Sequence, residues 1–224
     1  MGLVGLLYVG AVLFINGMML LGAVEPRSAA PINLFVGALQ VVTPTYLIFA
    51  ASADPNLTPA AVDQAILNAS GLYLFGFTYL YVGINLLAGL DTTGVGYFSL
   101  FVAIVAVGYA WANWQLLGDL PFAVIWLYWA FLWGLFFLVL GLKREELTRY
   151  TGWVTVIQAW VTAAIPAFLL LTDLWRAPGL TALALAVVGV VVFAALYAVI
   201  RPGAPRAPRA PEAAPTRAAH PAAG

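Results

Sequence analysis

The chain has 224 residues, 64% of them hydrophobic and 8% charged, a balance that excludes a soluble globular domain and marks a polytopic membrane protein. It has no cysteine, so disulfides, thiolate nucleophiles and cysteine metal sites are excluded. Formal net charge is zero and no basic face runs along the body, which argues against a nucleic-acid partner.

Seven apolar segments are long enough to cross about 30 Å of hydrocarbon at about 1.5 Å per residue. They run over 2–22, 32–53, 70–89, 96–117, 121–142, 151–172 and 178–200. The first has no Lys or Arg before it and is longer than a signal-peptide core, so it reads as a retained span. Short polar loops separate the spans, and residues 60–68 read as a short helix on the membrane surface. Residues 201–224 form a Pro/Ala/Arg tract that cannot bury a core, and read as a disordered cytoplasmic tail.

Basic residues orient the spans, because Lys and Arg gather in cytoplasmic loops. With the N-terminus outside, Arg27, Lys143, Arg144, Arg149 and the four tail arginines fall inside, and Arg176 alone falls outside. The expectation is therefore a multi-pass protein of a bacterial cytoplasmic membrane, N-terminus out and C-terminus in.

The first span places Asn16 and Gly17 on one helical face with Leu6, Gly10 and Leu13. In the third, Phe77, Tyr81, Asn85 and Ala88 line up. The fifth carries Trp126, Trp129 and Trp133 at i, i+3 and i+7, with Phe122 and Phe136 extending the stripe. Membrane tryptophans usually sit at the headgroup level, so a mid-span row points either to helix packing or to a narrow aromatic corridor. In the sixth span Thr151, Thr155, Gln158 and Thr162 share a face ahead of Pro166. Leu7-Tyr8-Val9-Gly10 recurs as Leu80-Tyr81-Val82-Gly83, and the even spans answer with Leu34-Phe35-Val36-Gly37 and Leu100-Phe101-Val102-Ala103. These copies predict three helix hairpins related by duplication around one axis, a plan that builds transport paths between repeats.

All nine acidic and nine basic residues lie in loops, in the tail or at span ends. Pumps and proton-coupled carriers keep ionisable groups at mid-membrane, so their absence points to a neutral solute moving downhill. Neither a metal site nor a Ser/His/Asp or Cys/His cluster can be assembled in the spans, so no enzyme and no cofactor is expected. Leucine constrictions, aromatic walls and a few amide or hydroxyl contacts suit urea or a small carboxamide. The competing reading is a non-transporting membrane scaffold, in which the stripes are packing alone.

At these residues the sequence resembles the AmiS/UreI family of bacterial urea and short-chain amide channels. The motifs are Gly2-Leu3-Val4 with Leu6 to Gly10, Asn16-Gly17, Asn33 to Gly37, Leu74 to Tyr81 leading to Asn85 and Gly89-Leu90-Asp91, Tyr97 to Ala103, Ile125-Trp126-Leu127 with Trp129 and Trp133, and Ile165-Pro166-Ala167. The resemblance implies a six-helix channel domain over residues 1–175, with the extra span at 176–200 and the tail beyond it. It also implies a homo-hexamer of protomers with separate pores around a central lipid plug. By motif match the path would be lined by Leu6, Leu13, Asn16, Phe77, Tyr81, Trp126, Trp129, Leu132 and Trp133, and the polar face of the sixth span adds Thr155 and Gln158. Three departures stand out. Gln158 occupies a position that is glutamate in the acid-gated urea-channel branch, which leaves simple amides as open as urea. The histidine-rich outer loop of that branch is missing, and the single histidine is His220, so histidine-based acid gating is not expected. The seventh span has no counterpart in the six-helix branch and is expected at the periphery.

Overall fold

The computed structural model describes residues 2–176 and 178–200. Among these, seven helices are long and apolar enough to span a membrane, and there is no strand. They are α1 (Gly2–Leu20), α2 (Pro26–Ala53), α3 (Pro59–Ala88), α4 (Thr93–Gln115), α5 (Leu120–Gly141), α6 (Glu145–Leu171) and α7 (Pro178–Ile200). The predicted tail at 201–224, with His220, lies outside the described residues.

Local chemistry sets the helix ends. Glu25 caps α2 by accepting from Ser28 N–H at 2.8 Å, with Pro26 at the first helical position, where a missing N–H costs nothing. Thr58 and Pro59 start α3 in the same way, and Asp119 caps α5 through Phe122 N–H. Gly89 ends α3 in the left-handed region at φ 65°, which a residue with a Cβ enters only with strain. Residues 60–68, expected as a separate surface helix, are instead the first turns of α3. Nothing between Pro59 and Ala69 breaks a helix, so the cap at Thr58 propagates into the span. At 30 residues α3 is about 45 Å long, well beyond the hydrocarbon thickness, and its extra turns stand at the end of the bundle that carries Asp54.

The three hairpins α1–α2, α3–α4 and α5–α6 close into a ring in which the tightest packing runs between hairpins, α2 on α3, α4 on α5 and α6 on α1. The repeated glycines sit at these seams. A Cβ at Gly10 would lie 2.9 Å from the Ala159 carbonyl of α6, one at Gly37 would lie 2.8 Å from Leu80 N of α3, and one at Gly83 would lie 2.8 Å from the Leu34 side chain of α2. Small residues let membrane helices approach backbone to backbone, where van der Waals contact rather than water exclusion holds them. The tetrapeptide repeat is thus a repeat of seams.

Two stretches widen into π turns, Phe137–Gly141 closing α5 and Ala159–Ala164 inside α6. The second precedes Pro166, which has no N–H to give to the turn before it, and the wider turn absorbs that mismatch. Helix α7 lies outside the ring against α5 and α6. Tyr128 and Tyr150 donate to its Leu185 and Phe193 carbonyls at 2.6 and 3.1 Å, and Phe193 stacks on Phe131. The rest of α7 is turned away from the ring, with Val190 and Val199 among its most exposed side chains.

Candidate functional site: two cavities and an aromatic waist

Inside the six-helix ring two cavities lie end to end. The larger, about 650 Å³, opens at the end of the bundle carrying Asp54 and Asp119. Its walls include Leu6 and Val9 of α1, Gln40 of α2, Leu72 of α3, and Phe122 and Trp126 of α5. The smaller, about 70 Å³, lies toward the Lys143 end between Leu13, Asn16, Tyr79, Leu132, Trp133 and Phe136. One water needs roughly 10–15 Å³ on this measure, so the smaller space admits a few waters or one small solute.

Phe75 and Trp129 belong to both walls. Their rings meet edge to face with centroids 4.7 Å apart, and the Phe75 ring also packs on Trp133 at 4.8 Å and Trp126 at 6.0 Å. One phenyl from α3 therefore presses on all three indoles of α5 and forms a waist between the cavities. The 3.6-residue period puts Phe122, Trp126, Trp129, Trp133 and Phe136 on one side of α5, and that side runs from one cavity into the other. Trp126 stacks flat on Tyr109 at 4.5 Å, and Tyr109 in turn shares a hydrogen bond with Ser70 at 2.6 Å. The wall is rigid because each ring is held by another.

The amide and hydroxyl groups of Asn16, Thr78 and Ser99 in the smaller cavity are already engaged. Asn16 and Asn33 exchange side-chain hydrogen bonds at 2.9 and 2.7 Å, Thr78 donates to Leu74 O at 2.6 Å, and Ser99 donates to Val95 O at 2.8 Å. The Trp129 N–H donates to Thr162 Oγ1 at 3.0 Å, and Thr162 donates on to Gln158 O at 2.7 Å. No Asp, Glu, Lys, Arg or His lines the smaller cavity, and the larger has only Asp54 and Asp119 at its rim. Among the described residues no cluster of three or more metal-ligating side chains is present.

The predicted residues divide into three groups. Leu6 and Trp126 line the larger cavity, Leu13, Asn16, Leu132 and Trp133 line the smaller, and Trp129 lines both. Thr155 and Gln158 are fully buried but stand behind the walls: Thr155 donates to Thr151 O at 2.6 Å, and Gln158 Nε2 donates to Tyr128 O at 3.0 Å. Phe77 and Tyr81 lie outside both cavities. Phe77 is half exposed and stacked on Tyr73, and Tyr81 packs over Gly94 and against Phe98. The residues that α3 does send into the smaller cavity are Phe75, Thr78, Tyr79 and Val82, one or two positions away. That face carries the same aromatic periodicity as the predicted one, so spacing alone does not choose between them. The signal that does is the glycine set, since Gly76 and Gly83 mark the side of α3 that abuts α2 and so fix its rotation.

At the Lys143 end the loops are tied together. Lys143 donates to Asp91 Oδ2 at 2.9 Å and to Thr92 Oγ1 at 2.8 Å, joining the α5–α6 turn to the α3–α4 turn. Hydrogen bonds from the Thr93 side chain, then from Lys143, hold the Asp91 carboxyl below the usual carboxylate range.

The AmiS/UreI family transporter pattern matches residues 1–174, ending just before α7. A transporter protein AmiS2 of Rhodococcus erythropolis is 58% identical over 172 residues, covering 77% of this chain and 80% of its own. An amidate substrates transporter protein of Mycolicibacterium smegmatis is 53% identical over 189 residues, covering 84% and 85%. The closed-state structure of the Helicobacter pylori urea channel superposes with a TM-score of 0.68 at 36% identity, covering 79% of this chain and all of that one.

Proposed function

The chain belongs to the AmiS/UreI family of transporters, and from that premise we propose that it is a passive channel for small neutral amides, urea or short aliphatic carboxamides. The observation that carries this reading is the pair of cavities meeting at one aromatic waist inside a single subunit, with no Asp, Glu, Lys, Arg or His between the rim and the Lys143 end. A solute with two flat faces slides between Phe75 and the indoles. Its passage needs side-chain motion of those rings, and exposed polar contacts are few enough that it is not held. An ion would have to shed its water against apolar walls and is excluded.

Under this reading the path runs from Leu6 and Trp126 through the Phe75–Trp129 waist to Leu13, Asn16, Leu132 and Trp133, while Thr155 and Gln158 brace the wall from behind. The excess of basic residues at the Lys143 end makes that end cytoplasmic, with the N-terminus and the Asp54 rim outside. The chain does no chemistry itself; it supplies a cytoplasmic urease or amidase. Family likeness favours a homo-hexamer around a central lipid plug.

Stopped-flow light scattering of proteoliposomes in urea and acetamide gradients tests the proposal. Amide entry well above that of protein-free vesicles, without ion conductance, is expected. Equal rates with and without protein would end it.

A further inference from the structure

Gln40 has an unusual position for a glutamine inside a membrane protein. It is fully buried on α2 in the wall of the larger cavity, and neither Nε2 nor Oε1 has a hydrogen-bond partner. The other buried side-chain amides among the described residues each donate at least one hydrogen bond, Asn16 with Asn33, Asn85 to Asp91 O at 3.0 Å, Asn113 to Tyr109 O at 2.8 Å and Gln158 to Tyr128 O; Asn85 Oδ1 and Gln158 Oε1 also lack a partner, but Gln40 alone leaves both ends unpaired. An unmade hydrogen bond at a buried donor or acceptor costs free energy, and Gln40 leaves both unmade. An apolar residue of similar size would pack more favourably there. Its amide lies flat over Gly5 of α1, where an added methyl group would come within 2.9 Å of Nε2 and 3.2 Å of Oε1. Leu6, Val9, Leu47 and Phe75 supply apolar surroundings in the same cavity.

We propose that the Gln40 carboxamide is a recognition site for a primary amide on the Asp54 side of the waist, a reading that rests on the channel function above. Along one edge of its plane a side-chain amide presents an N–H donor beside its carbonyl acceptor. Urea and primary carboxamides present the complementary edge, so when the flexible Gln40 side chain turns from Gly5 into the cavity two parallel hydrogen bonds form, Nε2–H to the solute carbonyl and a solute N–H to Oε1. Polyols lack this paired edge. Gln40 thus replaces hydration of the polar edge just before the solute's flat face meets Phe75 and Trp129, and it lends the path a preference for amides over other neutral solutes of similar size. Glycine at position 5 leaves room for the amide to lie in the wall.

The test compares acetamide, urea and ethylene glycol permeabilities of proteoliposomes carrying wild type, Gln40→Met or Gly5→Ala. Methionine keeps the length and apolar volume but neither hydrogen bond. Gln40→Met is expected to lower acetamide and urea permeability about tenfold, as loss of two modest hydrogen bonds would, while glycol changes by less than about twofold. Gly5→Ala, which keeps Gln40 and displaces only its flexible end, shifts the amide-to-glycol ratio in the same direction and serves alone if the methionine variant does not assemble. An unchanged amide-to-glycol ratio in whichever of these variants assembles overturns the proposal. Wild-type vesicles no more permeable to amides than empty ones would instead overturn the channel reading beneath it.

Discussion

A single Phe75 ring touches Trp126, Trp129 and Trp133, so on the proposed reading it sets the selectivity of the waist. Phe75→Ala should merge the two cavities, so that bulkier amides such as isobutyramide pass at rates near acetamide. The missing ring should also cost about 3–5 kcal/mol of packing, read as a lower melting midpoint in detergent. Phe77→Ala, two residues along and facing away, should leave amide flux unchanged in the same light-scattering assay. A fall in flux with Phe77→Ala and none with Phe75→Ala would reverse the assignment of faces. The contrast also shows what the sequence holds at this scale. The α5 stripe is readable because five aromatics fall on one face and the opposite face is poorer in rings. Two aromatic faces compete on α3, and two residues rotate a helix by about 200°, so only its contacts with α2 decide. Gln40 gives no periodic signal at all, since one glutamine in an apolar run reads equally as inter-helix glue, and its unpaired amide is visible only once Gly5 is seen beside it.

At the level of helices, stability rests on close approach at glycine seams. Gly10→Val should push α1 off the Ala159 and Ala164 backbone and lower the yield of folded protein in size-exclusion chromatography. Gly134→Ala, with nothing within 4 Å of the new methyl group, should be neutral or raise the melting midpoint, because alanine favours the helix by about 1 kcal/mol. Equal losses for both variants would show that backbone entropy, not seam contact, is what glycine contributes. Seven spans are legible in the sequence because hydropathy over some twenty residues is a strong signal in a chain with so few charges. The junction of 60–68 with α3 is not, because an amphipathic surface turn and the protruding end of a long span have the same composition. The polar face of α6 is legible as a face, whereas its use is not: the π turn at Ala159–Ala164 directs Thr162 to Trp129 and leaves Thr155 and Gln158 behind the wall.

Across the whole molecule, α7 and the loops at the Lys143 end decide how the channel is framed. The family match stops at residue 174, before α7, so a chain ended at residue 176 should still conduct amides. It would expose the face of α5 and α6 that Leu185 and Phe193 cover, and should lose some thermal stability. Acidification should do little to either property between pH 7 and 5. Residues 2–200 contain no histidine, so nothing in the ring titrates as imidazole over that interval. The Asp91–Lys143 tie points the same way. A carboxyl whose folded-state pKa is depressed contributes its stabilisation in full above its unfolded value, and loses it only as the pH falls below the ordinary carboxylate range, near pH 4, toward the folded value. The tie therefore remains charged throughout the interval, and because both partners are well exposed its release at lower pH should loosen the turns without unfolding the ring. Acetamide uptake measured at pH 7, 6 and 5 in the same vesicles should vary by less than about twofold, since no histidine faces the path. A steep rise on acidification would require a proton sensor on the Asp54 rim or in the tail, and His220→Ala would tell the two apart.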